Sequence, residues 1–219
     1  NSKLTLQEFQ NWTSKIELQI NKNDFKAALV ALEEVCSSIL AAGFVEEYLR
    51  VTEKLFNSLN WELAISQEIP YFHSQFNMYC TALTDMGEFE NCLKSLDKYS
   101  KLIPGKSAHY LSYCSEKTYN HWYQKDFENA IQIGEEGVFL LEESGLPDNY
   151  SLKHNLSLAY RVSKIPEHVN RALAYFLHNE TVESLLADKT NNKDFNGAYY
   201  GNIGKCLEIL NRNEDALDF

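Results

Sequence analysis

Proline and glycine are scarce in this sequence, with four and nine occurrences among 219 residues. Because both residues interrupt helices and mark turns, their scarcity favours helices over a fold rich in tight turns. Strand-like alternation of apolar and polar residues is also rare. Hydrophobic residues make up 44% of the chain, which excludes disorder as its main state. The composition therefore predicts an all-α protein.

Long apolar runs and positive charge are lacking as well. No apolar stretch approaches the roughly 18 to 20 residues that a membrane span requires, and no signal-peptide pattern opens the chain. The net charge is -11, so the summed field repels a nucleic-acid backbone. We therefore expect no membrane and no directly bound nucleic acid, and a partner that is neutral or basic.

The five cysteines show no metal-binding pattern. An odd number cannot pair completely within one chain, and none forms a C-x2-C motif. All occupy apolar positions of predicted helices, where reduced cysteine packs as a small hydrophobe, and this favours a cytoplasmic location. The five are Cys36, Cys80, Cys92, Cys114 and Cys206.

Patterns that carry catalysis are missing too. The six histidines show no paired-ligand spacing, and neither a G-x-S-x-G motif nor a phosphate-binding glycine loop occurs. In the loop 192–203, Asn192, Asp194, Asn196 and Gly197 fit EF-hand positions, but Ile203 replaces the bidentate glutamate. We therefore predict no metal, no cofactor and no intrinsic enzyme activity.

A repeat signature is present near the end of the chain. An aromatic at Tyr200 is followed by Gly204, Leu207, a polar turn and Ala216. This spacing resembles that of the tetratricopeptide repeat (TPR), a helix-turn-helix unit of about 34 residues. Gly204 and Ala216 would face each other where two antiparallel helices touch, so neither side chain is large.

Other compact pairs recur along the chain at the same separation of twelve residues, and they extend the repeat to six hairpins. Cys80 and Cys92 form one of these pairs, for which core filling is preferred and a disulfide is the alternative. The other pairs are Thr52 with Ala64 and Thr118 with Ala130. Ile16 with Ala28 fits the frame although its first member is large, and Ala159 with Ala172 fits after one inserted residue. We predict one helical repeat domain over residues 1–219, as a fragment of a longer protein.

Turn residues predict where several helices begin and end. Asp24 is expected as an N-cap, and Gly43 and Gly145 as helix stops. Pro70 should shorten the second hairpin and bend the array near it. The second helix of the fifth hairpin is expected to run from Val169 to about Ala187, which lengthens that repeat to more than about 40 residues, as in the longer TPR variants.

The resemblance implies a right-handed α-solenoid in which the first helix of each hairpin lines a concave groove for extended peptides or helices. The predicted ligand-binding residues at those inner positions are Arg50, Asn77, Thr81, Ser115, Tyr119, Trp122, Asn202 and Lys205, with Glu46 and Glu53 beside them. For Tyr119 and Trp122, a binding surface and buried packing both stay open. The full set of Lys, Arg and Asn residues with which some relatives hold a terminal carboxylate is not present.

Three classes of function follow from the sequence. The leading hypothesis is a protein- or peptide-binding scaffold, and self-association is left open. The alternative is a ligand-sensing regulatory domain of a larger signalling, transcription-regulator or defence protein. An enzyme built on helical hairpins is disfavoured, because no clustered acid-base pair occurs.

Overall fold

The computed structural model describes residues 5–187 and 197–219. Within those ranges the chain consists of α-helices joined by turns, with no strand. The helices are α1 (Leu6–Asn21), α2 (Phe25–Ala41), α3 (Val45–Ser58), α4 (Trp61–Ser66), α5 (Phe72–Asp85), α6 (Phe89–Ser100), α7 (Ala108–Tyr123), α8 (Phe127–Ser144), α9 (Leu152–Val162), α10 (Pro166–Leu177), α11 (Val182–Ala187), α12 (Gly197–Ile209) and α13 (Asn213–Ala216). The predicted all-α fold class is confirmed.

The helices follow one another as six hairpins, with the short α11 between the fifth and the sixth. Contacts divide the chain into two compact units, Asn1–Glu116 and Lys117–Phe219, named unit 1 and unit 2 here. The division falls within α7, so this helix contributes residues to both units. The single domain over residues 1–219 stays a prediction.

Helix caps follow the local sequence closely. The Asp24 carboxylate accepts a hydrogen bond from the backbone N–H of Ala27 at 3.1 Å, as expected of an N-cap. Gly43, two residues after the end of α2, and Gly145, directly after α8, adopt left-handed backbone with φ of 84° and 64°. These predicted helix boundaries are confirmed.

The compact pairs lie at the helix contacts, as the steric argument requires. The Cys92 thiol lies 3.5 Å from the carbonyl oxygen of Cys80, and both side chains are fully buried. A Cβ atom added at Gly204 would lie 3.4 Å from the carbonyl oxygen of Ala216 and 3.2 Å from the Cβ of Phe219. Close approach of the paired helices is therefore confirmed for the third and sixth hairpins.

The second helix of the fifth hairpin differs from the prediction. It begins at Pro166, and the expected continuous helix to Ala187 is wrong because His178 and Asn179 take left-handed φ values of 49° and 76°. A new helix, α11, then starts after Thr181, whose hydroxyl accepts from the backbone N–H of Ser184 at 3.0 Å. The extra length of this repeat therefore comes from a separate short helix.

The second hairpin is short, as Pro70 predicted. Its second helix, α4, spans only six residues, and left-handed backbone at Glu68 and Tyr71 flanks the proline. The bend expected near Pro70 stays a prediction, and the loop considered for calcium lies largely outside the described residues. In the part of the chain that the structure describes, no helix combines the length and apolar character of a membrane span.

A buried polar network joins three helices of unit 1. The Gln75 amide donates to the Glu33 carboxylate at 2.6 Å and its oxygen accepts from the Tyr48 hydroxyl at 3.3 Å. Gln75 and Tyr48 are fully buried. Because a buried amide requires partners with fixed geometry, these bonds set how α2, α3 and α5 meet.

Candidate functional site

A groove of about 410 Å³ lies between α3 and α5, the first helices of the second and third hairpins. The turn before α6 and the start of that helix also contribute residues to its lining. The residues that line it, called the α3–α5 groove below, are Glu46, Leu49, Arg50, Glu53, Tyr79, Leu83, Met86, Glu88 and Asn91. Three of the predicted inner positions, Glu46, Arg50 and Glu53, are therefore brought together.

Part of the groove lining is apolar. Leu49, Leu83 and Met86 contribute aliphatic or thioether surface, and Met86 is 43% exposed although it is hydrophobic. Tyr79 lies beside them, and burial followed by the nearby Glu53 charge raises its pKa to about 12. Its hydroxyl is therefore neutral at physiological pH.

The rim of the groove is acidic. Glu46, Glu53 and Glu88 are its carboxylates, and Arg50 is its single cation. The Arg50 guanidinium already pairs with Glu17 at 2.6 Å and with Glu47 at 2.7 Å. Hydrogen bonding to Arg50 also lowers the pKa of Glu47. Since Arg50 is neutralised from outside the groove, the rim presents uncompensated negative charge.

Polar side chains follow the other side of α5, where it meets α7. The Thr81 hydroxyl donates to the two carboxylate oxygens of Glu116 at 3.0 and 3.2 Å. Burial raises the pKa of Glu116 to about 8, although the Thr81 bond opposes this. The Oδ1 atom of Asn77, one turn away, is buried and accepts no hydrogen bond from the described residues. Thr81 therefore lies on this α5–α7 contact, and Asn77 precedes it by one turn of α5.

Two histidines meet on the same contact. The rings of His73 and His109 stack with centroids 3.5 Å apart, and His73 Nδ1 lies 2.6 Å from the Tyr99 hydroxyl. Burial, followed by the neighbouring His109, lowers the pKa of His73 to about 4. Sequence spacing within one helix did not reveal this pair, because its members lie one repeat apart.

The other predicted ligand-binding residues are dispersed. Ser115 of unit 1 is only 1% exposed. In unit 2, Tyr119 and Trp122 stack with centroids 6.1 Å apart, and Trp122 also packs against the hydrophobic core. Lys205 pairs with Glu208 at 2.7 Å and lines a separate groove between α12 and α13. Their role in binding stays a prediction.

Asn202 takes part in a contact that the sequence did not predict. It is 8% exposed, and its amide oxygen accepts a hydrogen bond from the guanidinium of Arg161. The two residues are separated by 41 positions, which is about one long repeat. Pairs separated by a repeat length are the sequence signal that would have found Arg161.

Metal-binding clusters are not seen among the residues that the structure describes. No group of three or more His, Cys, Asp or Glu side chains is arranged to hold an ion there. All five cysteines are buried thiols, in keeping with their expected role as small hydrophobes.

Two solved structures are similar to this chain. One contains TPR-like repeats of a Podosopora anserina protein named as a kinesin light chain, at 13% identity and a TM-score of 0.47, covering 95% of this chain and 90% of that one. A variant of the same protein gives a TM-score of 0.48 at 13% identity, with 95% and 89% coverage. No family model and no curated protein matches the chain.

The fold class rests on the chain's own hairpins. Paired helices of TPR-like length approach each other at compact residues, and successive hairpins repeat that arrangement. The described residues therefore define an all-α protein built from TPR-like helical hairpins.

Proposed function

We propose that the chain binds a basic or neutral segment of a partner protein along the α3–α5 groove. The observation that carries this proposal is the combination of apolar lining residues with an acidic rim whose cation, Arg50, is already paired with carboxylates. An apolar side chain of the ligand would cover Leu49, Leu83 and Met86. Lysine or arginine side chains next to it would meet Glu46, Glu53 and Glu88.

A peptide-display selection tests this proposal. Random peptides of about 12 residues, long enough to span a groove of this kind, are selected on the purified chain. We expect enriched sequences to combine an apolar or aromatic residue with lysine or arginine. Enrichment of acidic peptides would contradict the proposal.

Charge-neutral variants locate the binding site. Glu46→Gln with Glu53→Gln should weaken the selected peptides about fivefold, since two exposed charge pairs contribute about 1 kcal/mol together. The matched control is Glu62→Gln with Glu90→Gln, two exposed carboxylates outside the groove. Equal affinities for the two double variants, measured by fluorescence polarisation, would remove the groove from consideration.

The alternative function, a sensing domain within a larger protein, would use the same kind of groove. It differs in what is attached to the repeat rather than in how the ligand is held. The coding sequence on either side of the given residues would reveal an effector domain. Absence of enzyme activity and a cytoplasmic location are likewise kept as predictions.

A further inference from the structure

The sulfur-containing residues of this chain differ in exposure. The chain contains five cysteines and two methionines, and all of them lie within the described residues. The five cysteines are buried thiols. Met78 is partly buried, whereas Met86 is 43% exposed. Met86 is therefore the one exposed sulfur-containing residue of the chain.

Burial also makes the cysteine thiols poor reactants toward peroxides. A thiol reacts as its thiolate. Burial raises the pKa of Cys206 to about 11 and raises the pKa of Cys80 well above its ordinary value. Both thiols are therefore protonated at physiological pH. A thioether has no proton to lose, so the oxidation of methionine depends on access to its sulfur.

Met86 lies where its side chain shapes the groove and its backbone supports the fold. The side chain lines the α3–α5 groove together with Leu49 and Leu83. The backbone N–H of Met86 donates to the carbonyl oxygen of Ala82 at 3.1 Å and so caps the end of α5. A chemical change at the sulfur therefore alters the groove surface and leaves this helix end and the buried core intact.

We propose that Met86 is a site of oxidation by peroxide, and that its sulfoxide weakens ligand binding in the α3–α5 groove. A lone pair of the thioether sulfur attacks one peroxide oxygen, and the O–O bond breaks. The sulfur keeps that oxygen as a sulfoxide, while the other oxygen leaves with both protons as water. The sulfur is oxidised and the peroxide is reduced. The inference rests on the proposed function, because it regulates the same groove.

The position of the new oxygen explains the loss of affinity. A sulfoxide oxygen is a strong hydrogen-bond acceptor, and it would stand between the aliphatic side chains of Leu49 and Leu83 and the carboxylates of the rim. An apolar ligand side chain would remove water from this oxygen without offering it a donor. A methionine sulfoxide reductase removes the oxygen again, so the change is reversible.

Peptide mapping by mass spectrometry tests the modification site. The folded chain is treated with dilute hydrogen peroxide, and the addition of one oxygen atom is followed at each methionine. We expect Met86 to be oxidised several-fold faster than Met78 in the folded chain, and at the same rate in denaturing urea. Equal rates in the folded chain, or oxidation of a cysteine before Met86, would overturn the assignment. This measurement requires no ligand.

Fluorescence polarisation tests the effect on binding, with a selected peptide that contains neither methionine nor cysteine. We expect oxidation to weaken binding about fivefold, the effect of losing roughly one methylene equivalent of apolar contact. Treatment with the reductase should restore the original affinity. Met86→Leu keeps an apolar side chain, so its affinity should be the same before and after peroxide. Met78→Leu is the matched control and should lose affinity as the unmodified chain does.

The outcomes separate this inference from the proposed function. Unchanged affinity of the oxidised chain, or an equal loss in Met86→Leu, would overturn the inference and leave the groove as a binding site. A bound peptide should also slow the oxidation of Met86 and leave that of Met78 unchanged. If Glu46→Gln with Glu53→Gln does not weaken the peptides, the proposed function fails and the effect on binding fails with it. The oxidation rates then still decide whether Met86 is the modification site.

Discussion

Units 1 and 2 use the same helical hairpins but join neighbouring hairpins with different chemistry. In unit 1 the first helices carry matched polar groups, such as Arg50 with Glu17 and Thr81 with Glu116. In unit 2 the contact between the first helices α9 and α12 pairs Arg161 with the neutral amide of Asn202. The hairpin geometry therefore decides which helices are neighbours, while individual side chains decide how charge is balanced between them.

Close packing shows a related contrast. A Cβ atom added at Gly134 of unit 2 would lie 2.9 Å from Leu156 Cδ1 and 3.3 Å from Thr118 Cγ2. Unit 1 instead places the buried amide of Gln75 where three helices meet. The stability of unit 2 should therefore be sensitive to added side-chain volume, and that of unit 1 to the loss of buried hydrogen bonds.

The largest expected effect is that of Gly134→Val. The new side chain would overlap Leu156 and Thr118, and overpacking of this kind costs about 2 to 3 kcal/mol. Urea unfolding measures the loss. Gly105→Val is the control, since open space surrounds Gly105. Equal losses for the two variants would show that unit 2 is not closely packed at Gly134.

Gln75→Leu should have the second largest effect and lower the free energy of unfolding by about 2 kcal/mol. The change leaves the Tyr48 hydroxyl and the Glu33 carboxylate without their amide partner, and unsatisfied buried groups carry that cost. Gln132→Leu, at an exposed position of α8, should stay within about 0.5 kcal/mol of the unmodified chain in the same urea titration. If Gln75→Leu also lowered the free energy of unfolding by no more than about 0.5 kcal/mol, the network would not stabilise unit 1.

Glu116→Gln should change the pH dependence of stability. The folded pKa of about 8 lies above the unfolded value, so the folded state holds an extra proton between these values and stability falls as pH rises through that window. Glutamine cannot ionise, so the variant should melt at a higher temperature than the unmodified chain at pH 8, and the difference should shrink towards pH 5. Glu53→Gln, on the groove rim, is the control. A difference independent of pH would contradict a buried, protonated Glu116.

The smallest expected effect is the difference in stability between variants of Arg50 and of Arg161. Arg50→Met removes partly exposed ion pairs and should cost about 0.5 kcal/mol, with a smaller loss at high salt. Arg161→Met removes a half-buried charge that no carboxylate of the described residues balances, and should leave stability unchanged or raise it. Melting temperatures of both variants at low and high salt make the comparison. A larger loss for Arg161→Met than for Arg50→Met would reverse the contrast between the units.

Much of the fold followed from short-range patterns in the sequence. Local spacing was enough to predict three kinds of feature: the N-cap Asp24, the helix stops Gly43 and Gly145, and the compact pair Cys80 and Cys92. The break between α10 and α11 was missed, because Val182, Leu185 and Leu186 continue the apolar pattern of the preceding helix. Left-handed backbone at His178 and Asn179 interrupts the helix without proline or glycine.

The candidate site was only partly predictable. Glu46, Arg50 and Glu53 follow from assigning the first helix of a hairpin to the inner surface, but Leu49, Leu83 and Met86 resemble ordinary core residues in the sequence. Arg161 was missed because its partner Asn202 lies about one long repeat away, on another helix. Sequence position within one helix does not report neighbours on other helices.

The sequence by itself determined the helices, their caps and the compact positions where paired helices meet, because each depends on residues within about one hairpin. Only the tertiary structure decided which side chains of successive hairpins meet. Thr81 meets Glu116 across 35 residues, whereas Arg161 meets Asn202 across 41. The number of residues between successive hairpins varies, because turns and inserted helices differ in length. Sequence spacing therefore does not give the charged neighbours of a side chain on the next hairpin, and these are fixed only when the hairpins pack.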